Sequence, residues 1–538
     1  MWRNNLLVIF AVVISFTVPI ANGQKQHKPV HVVATDNHNS HHPSGIQTII
    51  EYEDDVGRQL VMDVARRINV DASTFHFLSA ELPSEEDIEK LRRNPHIRSV
   101  EHHVDEPIFE AVPFVDYADD TDSDDGGILN RQRRIEEMTP EAVTMIQAHQ
   151  LELGSDAPTI CICDSGYALG HPDLPQPPQV QGTNMVLNNG RVLKWDEDHT
   201  GHGTESASII AAVEGNDQGL RGASPGVRLH ITRGLDDDKR STVSQMFRAI
   251  QQCVEAGAQI INLSLGCPCE EGDEANCRST RCISDQMERY FATLAKNGIL
   301  VVAAAGNQGR EVAFYPASYP SVVSVGAANR QLMKFRQSNS NPHVELMGLG
   351  FAVNVLGVEN LNTYSFSEKT SGTSVATSGV AAAAALLWSH FPQCNVTQIR
   401  TALGRTAINT NGCDINTGFG MVQVKDAHDL LITEGCELDG RLYHGGVSCE
   451  AEFLKTKSPT TSPTAAPSSM QSASPSGMPT LSVSESPTGE PTEMPTVSPS
   501  VSDLNLMSPI ATSASDASTN KIELTLLLSS SILFLLLL

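Results

Sequence analysis

Thr-Ser-Gly-Thr-Ser-Val-Ala-Thr, residues 370–377, places Ser374 at the start of a long apolar segment that is rich in alanine. This segment predicts a helix over residues 375–387. The small residues before it leave the serine hydroxyl exposed near the positive end of the helix dipole. A serine in front of a helix is usually only an N-cap. The chemistry of Ser374 therefore depends on what the rest of the chain brings to it.

Two other segments offer partners for this serine. Residues 159–166, TICICDSG, predict a buried strand with Asp164 at its carboxyl end. Open α/β sheets carry their reactive groups at such strand ends. Residues 199–204, HTGHGT, place His202 between two glycines, which leave room around the imidazole ring.

In chain order the three candidates run Asp, His, Ser, which is the subtilisin order and differs from the chymotrypsin and α/β-hydrolase orders. Residues 256–266, AGAQIINLSLG, resemble the substrate-binding strand of the subtilases, and residues 299–307, ILVVAAAGN, resemble the strand before their oxyanion asparagine. Over residues 135–430 the chain thus resembles the subtilases, the subtilisin-like serine proteases. The resemblance implies an α/β fold of three layers with a mostly parallel central sheet, preceded by a small α/β, ferredoxin-like propeptide.

The resemblance also implies a role for each candidate. Ser374 attacks the peptide carbonyl, His202 transfers the proton, and Asp164 orients the imidazole. Asn307 donates its side-chain amide to the oxyanion, although Gly-Asn is also ordinary turn chemistry. Protein or peptide substrates are expected to bind along Leu263, Ser264, Leu265, Gly266, Ala303, Ala304, Ala305 and Gly306. Small residues at the back of this pocket favour apolar side chains.

Two positions depart from the family pattern. Residues 205–207, after His-Gly-Thr, read Glu-Ser-Ala where the family usually has a histidine or basic residue, and residues 377–379 read Thr-Ser-Gly where it usually has Pro-His. Neither departure touches the triad. The alternative function is a catalytically inactive subtilase scaffold that acts as a displayed binding module.

The N-terminus has the layout of a secretory signal. Residues 1–5 contain an arginine, residues 6–20 are mostly apolar, and residues 21–23 are small enough for cleavage. We expect a signal peptide over residues 1–23, with an uncleaved anchor as the alternative. The protein then enters the secretory pathway.

Residues 79–101, from SAEL to SVE, resemble the inhibitor-type propeptide that precedes many subtilases. The resemblance implies that residues 24–134 are a propeptide that assists folding and occupies the cleft until it is cut. Strands are predicted over residues 46–52 and 97–100, with helices over residues 57–69 and from Ser84 to before Pro95. An unrelated binding module is the alternative. Nine of the 18 histidines lie in residues 27–103, so acidification is one possible release signal.

An acidic run over residues 116–125 links the propeptide to Arg-Gln-Arg-Arg at residues 131–134. A convertase of the furin or kexin type would cut after Arg134, and the mature chain would then begin at Ile135. Self-cleavage within residues 109–115 is the competing hypothesis.

The chain has 11 cysteines, and in a secreted protein these favour disulfides. Cys267, Cys269, Cys277 and Cys282 lie in one loop after the binding strand, where two disulfides are expected rather than a zinc site. Local pairs are expected for Cys394 with Cys413 and for Cys436 with Cys449. Of Cys161, Cys163 and Cys253, at least one is expected to be a buried thiol, and Cys163 is best explained as a small buried hydrophobe.

The C-terminal part changes composition. A catalytic domain over residues 135–435 and a small Cys-containing extension over 436–457 precede a Ser/Thr/Pro-rich stalk over 458–520. The apolar tail over 521–538 predicts a GPI signal, with a transmembrane anchor as the alternative. The protein is therefore expected at the cell surface, in contact with the membrane only through this anchor.

Composition sets the remaining expectations. A net charge of −26 argues against nucleic acid as a partner. Asn395, in Asn-Val-Thr, is the sequon expected to carry a glycan. The chemistry requires no cofactor and no metal ligand is assigned, although structural calcium is compatible with the family. A monomer is expected.

Overall fold

The computed structural model describes residues 45–103, 107–111, 137–187, 190–270, 272–279, 282–361, 363–409 and 413–438. All of these belong to the first of two compact units, Met1–Thr461. The predicted signal peptide, the acidic linker with Arg134, the stalk, the apolar tail and Cys449 lie outside the described residues.

The first described elements form a small α/β unit, with β1 (Ile46–Tyr52), α1 (Asp55–Val64), β2 (Arg67–Ala72), β3 (Phe77–Leu82), α2 (Glu85–Arg92) and β4 (Ile97–His103). The sheet order is β2-β3-β1-β4, and all neighbours are antiparallel. This is the βαββαβ, ferredoxin-like arrangement that was predicted. Its two helices bury Val61, Ile88 and Leu91 in a core shared with Ile50 and Leu78.

The boundaries of this unit agree with the sequence where the signal is local. Strand β1 has the predicted ends, and the Ser84 hydroxyl accepts a hydrogen bond from the Asp87 N–H as the cap of α2. The helix predicted over residues 57–69 is wrong at its end, because the chain leaves the helix after Val64. Residues Arg67–Ala72 instead pair with β3, a state that the β-branched side chains there favour.

The chain continues through β5 (Phe109–Ala111), α3 (Glu141–Met145), β6 (Ile160–Asp164), β7 (Val180–Thr183), β8 (Met185–Val186), β9 (Val192–Leu193), α4 (His202–Ala211), β10 (Leu229–Arg233), β11 (Arg240–Ser241), α5 (Val243–Glu255), β12 (Ile260–Leu263) and β13 (Leu265–Cys269). The second half comprises α6 (Glu274–Ser279), α7 (Asp285–Lys296), β14 (Leu300–Ala304), β15 (Ala313–Tyr315), β16 (Val322–Ala328), β17 (Val344–Leu349), β18 (Val353–Asn360), β19 (Thr363–Thr370), α8 (Thr373–His390), α9 (Val396–Thr406) and α10 (Val424–Glu434).

Seven of these strands form the central sheet, in the order β17-β16-β14-β12-β6-β10-β7, and every neighbouring pair is parallel. Successive side chains of strand β6 alternate between the two faces of the central sheet. Ile160 and Ile162 join the core that contains α8, whereas Cys161 and Cys163 join the core that contains α5 and α7. The predicted three-layer α/β fold with a parallel central sheet is confirmed.

Helix α8 crosses the interior of the protein. Residues 373–389 are buried on every side of the helix, which is the pattern of a core helix rather than a surface one. The helix begins two residues earlier than predicted, so that Ser374 lies inside its first turn. Among the described helices, none combines the length and the apolar character that a membrane crossing requires.

The disulfides of the loop after β13 are Cys267–Cys282 and Cys269–Cys277. The expectation of two bridges within this loop is therefore confirmed. They close the loop that follows directly on the predicted substrate-binding strand.

Elsewhere both predicted local pairs, Cys394 with Cys413 and Cys436 with Cys449, are wrong, because Cys394 is bonded to Cys436. Cys394 lies just after α8 and Cys436 just after α10, and α8 packs against α10. Proximity of the helix ends, rather than proximity in sequence, therefore sets this pairing. Cys161 bonds Cys253 across β6 and α5, and Cys163 is a buried free thiol.

Candidate active site

Asp164 and His202 meet where β6 ends and α4 begins. The Nδ1 atom of His202 lies 2.7 Å from Oδ1 of Asp164, and both side chains are fully buried. A carboxylate on Nδ1 fixes the imidazole tautomer, because Nδ1 must carry the proton that it donates. The other ring nitrogen, Nε2, is then the atom that can accept a proton.

A glycine allows this close approach. A Cβ atom on Gly203 would lie 2.1 Å from the carbonyl oxygen of Gly166 and 3.2 Å from Cβ of Asp164. Since real Cβ atoms do not approach backbone so closely, a larger residue would push the start of α4 away from β6. The glycine after His202 is therefore needed for the His202–Asp164 contact.

The carboxylate of Asp198 organises the same helix start, and the sequence analysis missed it. Its Oδ1 accepts from the Ser165 hydroxyl at 3.0 Å and the Gly201 N–H at 3.0 Å. Its Oδ2 accepts from the N–H and hydroxyl of Thr204 at 2.9 and 2.7 Å. The sequence signal was present, since an aspartate shortly before a helix commonly binds the free N–H groups of its first turn.

Ser374 is the second residue of α8 and is fully buried. Helix α8 packs against α4, so that the helices carrying Ser374 and His202 are neighbours. The carbonyl oxygen of Ser374 accepts from the hydroxyls of Ser264 at 3.4 Å and Ser378 at 3.1 Å. The predicted serine is thus tied to the segment between β12 and β13.

Asn307 follows β14 and is held by the residue that precedes Ser374. Its side-chain oxygen accepts from the N–H of Thr373 at 2.9 Å and from the Thr373 hydroxyl at 3.0 Å. The same hydroxyl accepts from the Gly306 N–H at 3.1 Å. Because the oxygen is fixed on Thr373, the amide nitrogen is the end that can donate to a substrate oxygen. Sequence reasoning did not identify Thr373.

The predicted substrate-binding residues divide into two groups. Leu263 and Ala303 are paired with each other inside the central sheet and are fully buried. Leu265 and Gly266 instead belong to β13, in a second sheet ordered β11-β5-β13-β15. Leu265 and Gly266 lie along the edge of β13 that pairs with strand β5.

Strand β5 occupies that edge in this structure. Ala111 pairs with Leu265 and Glu110 with Gly266, while on the other side Glu110 pairs with Arg240. Phe109 is buried in the core that contains α5. A segment of the N-terminal part therefore lies as an extended strand in the predicted binding groove.

The N-terminal unit also docks on the helices beside the groove. Glu101 Oε2 accepts from the Ser284 hydroxyl at 3.0 Å and the Gln286 N–H at 3.3 Å, at the start of α7. A carboxylate is favourable at a helix N-terminus. Arg289 Nε donates to Glu51 at 2.7 Å and so adds an ion pair to this interface. His103 Nε2 lies 3.2 Å from the Ser244 hydroxyl.

Asn395 is exposed and caps α9, accepting a hydrogen bond from the Gln398 N–H. Asn262, in the second sequon, is fully buried in β12. Within the described residues, no group of three or more His, Cys, Asp or Glu side chains is arranged to hold a metal ion.

The sequence pattern of the Subtilase family matches residues 155–421. The chain is 33% identical to subtilisin DY of Bacillus licheniformis over 270 residues, which cover 49% of this chain and 89% of that protein. It is 30% identical to subtilisin BL of Lederbergia lenta over 293 residues, or 54% of this chain and 98% of that protein. The solved structure of the psychrophilic subtilisin-like protease Apa1 from the Antarctic psychrotroph Pseudoalteromonas sp. AS-11 aligns with a TM-score of 0.48 at 23% identity, covering 56% of this chain and 99% of that chain.

Proposed function

This chain belongs to the subtilase family and is a serine endopeptidase, and from that premise we propose that Ser374, His202 and Asp164 form its catalytic triad. The observation that carries this proposal is the 2.7 Å hydrogen bond between His202 Nδ1 and Asp164 Oδ1, with both groups fully buried. It leaves Nε2 as the base for a serine on the neighbouring helix.

The proposed reaction proceeds through an acyl-enzyme. The hydroxyl of Ser374 attacks the peptide carbonyl while Nε2 of His202 accepts its proton, and the imidazolium then gives that proton to the leaving amine. Asp164 stabilises the imidazolium and keeps the ring oriented. A water molecule then attacks the acyl-enzyme carbonyl while Nε2 of His202 accepts its proton. The imidazolium returns this proton to Ser374 as the acid is released.

We assign stabilisation of the oxyanion to the amide of Asn307 and the backbone N–H of Ser374. The fixed Asn307 oxygen supports this, because the amide is then preorganised toward the oxyanion rather than free to rotate. Preorganised donors act in the transition state without a reorganisation cost, and loss of one typically lowers kcat by about 100- to 1,000-fold.

We propose that the enzyme is made as a zymogen, with the N-terminal unit as its inhibitor. Strand β5 lies between β11 and β13, in the place of an extended substrate. The carboxylate contacts of Glu101 and Glu51 with α7 support tight docking of the unit. Substrates would displace or replace this strand after cleavage of the propeptide.

Secretion and attachment to the cell surface are part of the same proposal. They rest on the signal-like N-terminus, the Ser/Thr/Pro-rich stalk and the apolar tail of the sequence. Release of the protein from intact cells by a phosphatidylinositol-specific phospholipase would support the GPI anchor, whereas retention would favour a transmembrane tail.

Labelling with a fluorophosphonate tests the catalytic assignment. Secreted wild-type protein should take the label after loss of the propeptide, and Ser374→Ala should not. N-terminal sequencing of both proteins separates the processing routes, since a start at Ile135 in Ser374→Ala requires a protease acting in trans. A folded, propeptide-free wild type that takes no label would leave the displayed scaffold as the better account.

A further inference from the structure

The ring of Phe314 lies between residues 263–266 and residues 303–306, the two segments that are expected to hold a side chain of the substrate. A Cβ atom on Gly266 would lie 2.4 Å from Cε1 and 2.7 Å from Cδ1 of this ring. A Cβ atom on Gly306 would lie 2.7 Å from Cδ2, on the other side of the ring. The two edges of one aromatic ring therefore face the glycines that end the two segments.

Phe314 is fixed in this position. It is 2% exposed and packs with Ala304, which belongs to one of the two segments. Its N–H donates to the Ser318 hydroxyl at 3.0 Å, and its carbonyl accepts from the Ser318 N–H at 2.8 Å. Strand β15 pairs with β13, where Phe314 is opposite Pro268.

The disulfide loop reinforces that pairing. The residues of β13 that flank Pro268 are Cys267 and Cys269, and each is bonded to a cysteine later in the same loop. β13 is thus held by its pairing with β15 and by the two disulfides of the loop. These contacts hold the backbone of Phe314 in place at the groove.

The space that the Phe314 ring fills lies where the proposed reaction would place a side chain of the substrate. A peptide that reacts at Ser374 with its carbonyl oxygen on Asn307 has its preceding residues along β13, as β5 does. The side chain next to the cleaved bond then enters between the segment that ends at Gly266 and the segment that ends at Gly306. Protein interiors have few voids, so a ring already in that space removes room for another side chain.

We propose that Phe314 closes the far end of the pocket for the residue before the cleaved bond, and that the enzyme therefore cleaves after small residues such as glycine, alanine and serine. This inference rests on the proposed triad and oxyanion site. It narrows the sequence-based expectation of apolar side chains, because an aromatic or long aliphatic side chain needs the volume that Phe314 fills. Without Phe314, the alanines and glycines of these two segments would leave room for such side chains.

The test uses the mature enzyme and a series of fluorogenic peptides that differ only in the residue before the cleaved bond. Active sites are first titrated with a fluorophosphonate, so that rates refer to active enzyme. For wild type, kcat/KM for alanine should exceed that for phenylalanine by at least about tenfold. Phe314→Ala should raise the ratio of kcat/KM for phenylalanine to kcat/KM for alanine by a similar factor.

Phe335→Ala is the matched control, because Phe335 is also a buried aromatic but belongs to a different hydrophobic cluster from Phe314. Its specificity should remain that of wild type. Hydrolysis after phenylalanine by wild type as fast as after alanine would overturn the inference, whether or not Phe314→Ala folds. An unchanged profile in folded Phe314→Ala would also overturn it. Wild type that takes no fluorophosphonate would instead overturn the proposed function.

Discussion

Thr373 holds Asn307 through two hydrogen bonds to a single oxygen, from its N–H at 2.9 Å and from its hydroxyl at 3.0 Å. Thr373 immediately precedes Ser374 in α8. The proposed nucleophile and the proposed oxyanion donor are therefore both positioned by Thr373. A shift of either would be transmitted to the other through this pair of bonds.

Replacement of Thr373 by valine should lower kcat by about tenfold, less than the 100- to 1,000-fold expected for Asn307→Leu. Valine keeps the backbone bond and the shape but loses the hydroxyl, so the asparagine amide gains freedom to rotate. Steady-state kinetics on one peptide should show the loss in kcat with little change in KM. Thr377→Val is the control, since the Thr377 hydroxyl donates to the Thr373 carbonyl within α8. Equal effects of the two valines would contradict a positioning role for Thr373.

Asp198→Asn should destabilise the protein by about 1–3 kcal/mol in the free energy of unfolding. In asparagine an NH2 group replaces one carboxylate oxygen. This group cannot accept the hydrogen bonds that Asp198 now accepts, such as those from the N–H and hydroxyl of Thr204. Because these bonds fix the start of α4, kcat should fall as well. Urea unfolding of Ser374→Ala and of the double variant gives the free energies.

Asp196→Asn, in the same loop, is the control for Asp198. It carries the same change of charge without the network of buried hydrogen bonds. If it destabilised the protein as much as Asp198→Asn, the effect would be one of net charge and not of the network.

The sequence predicts the parts of this protein that depend on local pattern. Asp164 lies at the end of a short buried strand, and Ser84 has its helix-capping partner three residues away, so both could be recognised. The end of α1 could not, because residues Arg67–Ala72 are a strand only through pairing with β3. The same holds for Phe314, whose importance comes from two glycines that are distant in the chain.

The buried imidazole of His171 should make stability depend on pH. Its Nε2–H donates to the Ser365 carbonyl at 3.1 Å, and its Nδ1 accepts from the Asp173 N–H at 3.2 Å. Burial lowers the pKa of His171 from 6.5 to about 4. Because the unfolded chain binds the proton first, the stability that neutral His171 contributes is complete above pH 6.5 and is lost as the pH falls toward 4.

The measurement compares His171→Gln with its parent, both carrying Ser374→Ala, in urea at pH 7 and pH 4.5. The parent should lose about 2 kcal/mol more than the glutamine variant between these values. Burial raises the pKa of Asp173 to about 6, so this carboxyl opposes the trend by lowering stability as the pH rises from 3.8 to 6. It is present in both proteins and largely cancels in the difference. Parallel pH profiles would contradict the assignment to His171.

The Cys394–Cys436 bond should stabilise the protein by about 4 kcal/mol, from the entropy that closing a loop of this length removes from the unfolded chain. Replacement of both Cys394 and Cys436 by serine should reduce the free energy of unfolding by about 4 kcal/mol. Each single replacement should have nearly the same effect, since either one breaks the bond. Peptide mapping without reduction should yield a fragment pair joined through these two cysteines. A fragment pair joining Cys394 to Cys413 would restore the sequence-based pairing.

Strand β5 completes a four-stranded sheet, and without it β11 and β13 have no strand between them. The proposed binding groove is thus the position of a middle strand in this sheet, between β11 and β13. In the proposed binding mode, the propeptide strand and a substrate each form hydrogen bonds with these two strand edges at once. If substrates bind as proposed, each cycle of hydrolysis removes the strand between β11 and β13, and the free enzyme has two open strand edges at this groove until the next peptide binds.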